Sequence, residues 1–426
     1  MTATALATVR SVLVRIKTDS LLRDSFNLTL AFSVLNLANW LYHVVMSRTL
    51  DPVGYGSLSA LLGMLLVLTV PVTTIQMGLS TVVARAHARG ETAGMQTLLS
   101  ASLRLFLWLG MLTFALVALL SGKLASVLQL ASPTPPLIAG TVLLSWSVLP
   151  VLRGILQGAG RFGALGLSFA AEGLLKLGAG TALVMVGLGL EGAIAGVSLA
   201  GFGALALTLL PLRGQIHFKR QDDDVELAGV LRQLVPFGVA LGCFTLLTQA
   251  DVILVKAFFP PQQAGIYAAA STAGKVILNL TGALAMVTLP ELTRQHSTAG
   301  DGRSVLARGL LYAGLGGGAA LVLYFLAPQV VVRVLFGDAY LAAVPLLGLL
   351  GLTMLAYELT LLIIYYLLAT GQPGFLKPLS LITVAFPLLM RYLAHSPEGV
   401  AWIMTALSVL TLLTVSWFCK TPNVKP

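Results

Sequence analysis

The chain's most conspicuous chemical group is a lysine in the middle of a long apolar run. Lys275 stands in AAASTAGKVILNLTGAL, with Asn279 one helical turn later on the same face. Ala268, Ala269, Ser271 and Gly274 are small enough to let such a helix border an open space. Glu172 and Lys176 stand i,i+4 in AAEGLLKLGAG, acid before base, the order that favours a pair within one helix. The alternative is that Lys176 faces an open path while Glu172 tunes it or takes a proton. Asp251 follows Gln249 in TLLTQADVILVKAF and has three candidate uses: gating, holding a coupling cation, or pairing with Lys256 or Lys275. Asn36, Asn39, Trp40 and His43 recur at i, i+3, i+4 and i+7, which puts all four on one helical face. A polar stripe with one aromatic ring suits sugar contacts, and equally suits hydrogen bonds between helices. Gln76, Glu358 and Arg391 are further polar groups in apolar surroundings. The chemistry on offer is recognition of a charged, hydroxylated solute.

Several other chemistries find no residues. The phosphate-cradling pattern G-x-x-x-x-G-K-[ST] does not occur, so no ATP hydrolysis is expected. The five histidines and two cysteines have no metal-ligand spacing, and no cofactor is implied. Cys243 and Cys419 both fall toward the cytoplasmic side in the topology below, where thiols stay reduced; small apolar filling is their expected role.

The elements that must carry these groups are membrane helices. Of 426 residues 57% are hydrophobic and only 10% charged, against about 25% in soluble domains. Mean hydropathy is +0.92. Apolar runs of the roughly 20 residues that a span needs occur near 26–47, 54–78, 101–120, 134–153, 165–187 and 190–211. They recur near 230–255, 263–290, 305–327, 341–369, 374–394 and 398–418. The runs are too long for barrel strands and lack strand alternation. The fold class is therefore all-α and polytopic, with about twelve transmembrane helices.

Placing the N-terminus in the cytoplasm puts 19 of the 26 Lys and Arg residues inside and five outside, leaving Lys176 and Lys275 within spans. The positive-inside rule then gives two cytoplasmic termini. The +10 net charge is accounted for by anionic lipid rather than by nucleic acid. Residues 1–24 form a basic cytoplasmic segment, 25–211 a first six-helix bundle, 212–229 a cytoplasmic linker, 230–418 a second six-helix bundle and 419–426 a tail. LATVRSVLVRIKTDSLLRDS, residues 6–25, lacks the core and cleavage site of a signal peptide; it fits a short interfacial helix or a mobile basic tail.

The two halves echo each other. Aligning 50–91 with 259–300 pairs Pro52 with Pro261, Gly56 with Gly265, Ala60 with Ala269, Val67 with Val276, Met77 with Met286, Arg85 with Arg294 and His87 with His296. Both stretches fill one topological slot: outer loop, second span of the half, inner loop. Arg85 and Arg294 are thus expected at equivalent cytoplasmic ends, as topological anchors or as basic groups beside a path. Two halves of like orientation relate by an axis along the membrane normal, a transporter plan.

SRTLDPVGYGSLSALLGML and GLSTVVARAHARG resemble the first spans of bacterial polysaccharide-export proteins. RGILQGAGRFGALGLSFAAEGLLKLGAG with GLGLEGAIAGVSLAG is similar to their fourth to sixth spans, and QADVILVKAFFPPQQAGIYAAASTAGKV with LPELTR to their seventh and eighth. The resemblance, over residues 25–418, is to the oligosaccharide-lipid flippases of O-antigen, capsule and exopolysaccharide assembly. These belong to the multidrug/oligosaccharidyl-lipid/polysaccharide exporter superfamily. It implies two bundles around a central cavity open to each side in turn, in the bacterial inner membrane. It also implies a polyprenyl-diphosphate oligosaccharide as substrate, with proton or sodium coupling and polymerase or export proteins as partners. Under it Lys275 is the group to meet the diphosphate, and Asp251 matches an acidic position of the family. A drug or cation antiporter of the same superfamily and a lipid II flippase are the alternatives. Lipid II flippases usually carry two further spans, which are not found here. Membrane glycan polymerases and ligases carry a large external loop, whereas SRTLDPVG, SGKLASVLQLASP, KAFFPPQQ and RVLFGDAY are short. No enzyme is expected.

Overall fold

In chain order the helices are α1 (Ser20–Thr49), α2 (Pro52–Arg89), α3 (Thr92–Val127), α4 (Thr134–Gly158), α5 (Phe162–Leu183), α6 (Gly189–Leu209) and α7 (Leu227–Phe258). They continue with α8 (Pro261–Ser297), α9 (Gly302–Leu326), α10 (Pro328–Leu335), α11 (Val344–Ala369), α12 (Leu376–Leu393) and α13 (Pro397–Phe418). This computed structural model describes residues 20–89, 92–213, 227–297 and 302–419, so most of the basic N-terminal segment, the linker and the tail lie outside it. So does the helix considered for residues 6–25, apart from its last turn. Twelve of the helices are long, one for each apolar run; α10 has only eight residues.

Local chemistry marks the helix starts. α2 and α8 both open on a proline, Pro52 and Pro261, a residue whose fixed φ suits the first turn and whose missing N–H costs nothing there. Asp51 caps α2 by accepting the Gly54 N–H at 2.8 Å. Ser396 caps α13 by accepting the Gly399 N–H at 3.1 Å. The outer surface is apolar: Leu112, Leu119, Leu326 and Leu381 are each at least 67% exposed, as lipid-facing side chains must be.

The second half repeats the main packings of the first. In the first half these are α1 with α5, α5 with α6, α2 with α4, α3 with α4 and α4 with α6. In the second half the same five recur, as α7 with α12, α12 with α13, α8 with α11, α9 with α11 and α11 with α13, and α8 also packs closely on α9, which their counterparts α2 and α3 do only weakly. The same positions of the two series of six long helices meet each time. Glycine permits the closest approaches: a methyl on Gly154 would stand 2.8 Å from the Gln76 carbonyl, and one on Gly274 2.8 Å from the Leu350 carbonyl.

The halves meet unequally. α2 lies against α7 through most of its length, with Gly63 against Gln249 and Ile253, Gly242 against Val70, Gly238 against Thr74 and Gly78 against Leu234. The corresponding pair on the other side, α1 and α8, touches far less. Both helices of the tight seam carry an internal proline, Pro71 in α2 and Pro236 in α7, where a helix bends most readily.

Candidate functional site: a lysine-flanked cleft closed at one end

At the end where α2 begins, the halves are sealed. Gly56 lies on Gly265: a methyl on Gly56 would stand 2.8 Å from both the Cα and the N of Gly265. Arg48 donates to the Val334 carbonyl across the seam. The Tyr55 ring meets the Phe336 and Tyr340 rings at centroid distances of 6.1 and 5.9 Å, the last pair edge to face. The Gln129 side-chain amide donates to the carbonyls of Ala257 and Phe259 at 3.2 Å and, more loosely, of Lys256 at 3.4 Å. Those are the orphan carbonyls that end α7, so a loop of one half caps a helix of the other. Gln129 itself holds φ of 51°, the left-handed conformation of a helix-ending residue, which glycine or asparagine usually supplies.

Beneath this seal a hydrogen-bonded chain joins three helices. His43 Nδ1 bonds the Tyr55 hydroxyl at 3.2 Å, and that hydroxyl donates to Thr272 Oγ1 at 3.1 Å. From here α1 and α8 diverge. Asn36 lies seven residues from His43 and Asn279 seven from Thr272, in each case on the same face and about 10 Å farther from the seal. His43 and Thr272 are half-buried; Asn36 and Asn279 are exposed. With few contacts between the two helices and exposure rising along both faces away from the seal, we read them as the sides of a cleft open at that end, with an exposed amide on each.

The lysines flank this cleft. Lys275 Nζ donates to Gln249 Oε1 at 2.8 Å and stands 3.8 Å from Asp251 Oδ1. Asp251 is fully buried; its other oxygen accepts from Ser271 at 2.7 Å and Tyr267 at 3.3 Å. Lys176 Nζ donates to Asn39 Oδ1 at 3.1 Å and lies 4.5 Å above the Tyr42 ring. Each ammonium therefore gives one strong hydrogen bond to a neutral amide on the first helix of its own half. An ammonium has three donors, so both retain capacity for a further anionic acceptor. His43 packs edge-on against Tyr42, whose ring lies under Lys176.

The structure corrects one expected pairing. Glu172 does not neutralise Lys176 within α5; its Oε2 is 2.8 Å from Arg153 on α4. Arg153 is expected to snorkel at a helix end, but it is buried, donating also to Ser168 Oγ at 2.9 Å and the Ser168 carbonyl at 3.0 Å, with its guanidinium 4.0 Å above the Phe169 ring. A guanidinium on the preceding helix, 2.8 Å away, outcompetes a lysine one turn along α5. Of the α1 stripe, Asn39 and His43 reach partners in the interior, whereas Asn36 is exposed.

Gln76 is half-buried and makes a long 3.4 Å hydrogen bond to Gln157, within the first half. Arg85 is exposed near the end of α2; Arg294 lies on α8 beyond the described side chains. Glu358 is fully buried in α11, and the Arg391 guanidinium lies 5.7 Å from the Phe258 ring. Cys243 and Cys419 are both free thiols. Among the described residues no cluster of His, Cys, Asp and Glu has a metal-holding arrangement. Tyr55, Thr272, Tyr267 and Gln129 escape the sequence reading, as does the bond from Ser271 to Asp251, because hydroxyls and single amides are common in apolar helices and loops. The one available signal was position: Tyr55 adjoins Gly56, and Ser271 and Thr272 stand one turn before Lys275.

Comparison with known proteins places this geometry. The sequence matches the family described as polysaccharide biosynthesis protein over residues 21–296. No curated protein sequence matches significantly. An inward-facing multidrug resistance MATE family transporter of the MOP superfamily is similar in structure at TM-score 0.73 and 14% identity, with 91% of this chain and 96% of that one covered. The lipid II flippase MurJ in an inward closed conformation gives TM-score 0.73 at 13% identity, covering 92% and 87%. A MOP superfamily transporter from Pyrococcus furiosus Vc1, described as having a binding pocket of reverse polarity that suggests a different function, gives 0.62 at 15% identity, covering 94% and 96%. At these identities the likeness is one of fold.

Proposed function

The chain belongs to the polysaccharide biosynthesis protein family, and from that premise we propose that it is a flippase for lipid-linked oligosaccharide. It carries polyprenyl-diphosphate-linked repeat units from the cytoplasmic to the outer leaflet of a bacterial inner membrane, for O-antigen, capsule or exopolysaccharide assembly, by alternating access. The observation that carries this reading is the pair of lysines, Lys176 and Lys275, each held by an amide on the first helix of its own half. A diphosphate and its sugars cannot cross hydrocarbon unaided, since each charge at the bilayer centre costs several kcal/mol or more. Two ammonium groups held by amides rather than fully paired with carboxylates match about two negative charges. Asn36, Asn39, Gln249 and Asn279 supply amides for sugar hydroxyls, while the prenyl tail stays in lipid through the opening between α1 and α8.

Topology supports the direction. The positive-inside rule places the sealed end outside and Arg85, Arg89 and Arg294 inside, so the cleft widens toward the cytoplasm. Opening the seal while closing the cleft would bend α2 and α7 at Pro71 and Pro236. Proton or sodium coupling would use Asp251 or Glu172, and polymerase or export proteins would take the delivered unit.

A second reading, an ion-coupled drug or cation antiporter, is favoured by the similarity to MATE transporters. It fits the site less well, because Lys176 and Lys275 put positive charge and, among the described residues, no cluster of acids where a cation would have to bind. A lipid II flippase shares the diphosphate chemistry and differs only in the sugar-peptide head. Reconstitution tests all three. Proteoliposomes holding the protein should flip labelled polyprenyl-diphosphate oligosaccharide without ATP, with little movement of organic cations or lipid II. Cation efflux without lipid flipping would establish the antiporter instead.

A further inference from the structure

The chain holds a third lysine of unusual placement, outside the cleft. Lys256 lies in the last turn of α7, where a basic residue normally reaches water and anchors the helix. Here it is fully buried, and its Nζ has no hydrogen-bond partner. A buried ammonium without a partner is costly and needs a reason. Asp51 of the other half acts on it from beyond ion-pair distance, and that carboxylate is already engaged as the cap of α2 at the Gly54 N–H.

Position supplies the reason. Lys256 follows Gln249 by seven residues, so it stands on the same face of α7, two turns and about 10 Å nearer the seal. Gln249 is the residue that holds Lys275. The ammonium of Lys256 therefore continues the line of the cleft site toward the outer surface. The seal lies beside it: Gln129 from the first half donates to the carbonyls of Lys256, Ala257 and Phe259.

We propose that Lys256 is an exit-side anion site, hidden while the seal is closed and uncovered when it opens, which takes the diphosphate from Lys275 and presents it to the outer leaflet. This rests on the flippase reading above. The unpartnered charge then has a second consequence: it disfavours the sealed state and helps the loaded protein open outward.

The test uses the full chain in proteoliposomes. Lys256→Gln should leave binding of lipid-linked oligosaccharide to the detergent-solubilised protein nearly unchanged while slowing flipping about tenfold or more, as loss of one buried charge contact does. Lys256→Arg should keep most of the rate. A reporter cysteine, Ile253→Cys in a Cys243→Ser, Cys419→Ser chain, should react with an impermeant maleimide from the outside. Inorganic pyrophosphate outside should slow that labelling, and should not when Lys256→Gln is added. Wild-type flipping by Lys256→Gln, or labelling indifferent to pyrophosphate, overturns the proposal. So does a latch result, in which Asp51→Asn reproduces the defect and the swap Asp51→Lys, Lys256→Asp restores flipping. If the wild-type protein flips no lipid-linked oligosaccharide, the flippase reading has failed, and pyrophosphate protection still reports on Lys256 alone.

Discussion

Gly56 and Gly265, 209 positions apart, lie backbone to backbone at the sealed end of the molecule. They are also partners in the internal repeat. The pattern is written twice because its two copies meet: the first turns of α2 and α8 face each other across the axis relating the halves, and neither tolerates a side chain. A methyl on Gly265 would collide with the Pro52 carbonyl.

Gly265→Ala should therefore wedge the seal open. Forced overpacking of this kind costs about 1–3 kcal/mol. The expected result is a cytoplasmic cleft that closes more often and a seal that admits impermeant thiol reagents to Ile253→Cys in the absence of substrate. Gly163→Ala, where an added methyl meets nothing within 4 Å, should leave labelling unchanged.

The Gln129 clamp should be separable from the strain it carries. Gln129→Ala removes the amide that caps α7 and keeps the left-handed φ of the wild type, so it should lose roughly 0.5–1.5 kcal/mol through the hydrogen bonds. Gln129→Gly relieves the backbone and still loses the clamp. Melting in detergent should rank wild type above Gln129→Gly above Gln129→Ala, while outside labelling of Ile253→Cys rises in both variants.

Arg153 and Glu172 should behave as one unit. Arg153→Met strands a carboxylate in the bundle interior and should cost about 3–5 kcal/mol. Adding Glu172→Gln should recover most of the loss, because a neutral amide needs only hydrogen bonds. A double variant no more stable than Arg153→Met, measured by thermal aggregation in detergent, would mean that Arg153 matters through Ser168 and Phe169 rather than through its charge partner.

The membrane potential should drive the cycle. A diphosphate moving outward across an inside-negative potential gains about 2.3 kcal/mol per charge per 100 mV for full passage. Collapsing the potential in proteoliposomes should slow flipping, and ATP should have no effect. Flipping that demanded ATP and ignored the potential would refute a secondary mechanism.

Much of the architecture was legible in the chain. Twelve apolar runs give twelve long helices, because length and hydropathy alone decide what spans a bilayer. The repeat was legible through Pro52 and Gly56, whose roles are backbone roles. Partners were less so. Spacing says that Glu172 and Lys176 share a face of one helix, but not that Arg153 waits on the next. Lys256 reads as a loop charge because the apolar run stops there; in the fold it is buried at the end of α7, where a loop of the other half meets that helix. Lys275 stood out because an isolated charge in a span is rare, and its placement beside Asp251 and Gln249 follows one of the pairings open to it.

The most direct test of the account is flipping by Lys275 variants. In proteoliposomes with labelled polyprenyl-diphosphate oligosaccharide, Lys275→Ala should fold, insert and abolish most flipping, and Lys275→Arg should retain part of it. Removing Lys176 as well should eliminate the remainder. A stably inserted Lys275→Ala protein that flips its substrate at the wild-type rate would contradict the claim that the lysine-flanked cleft carries the diphosphate.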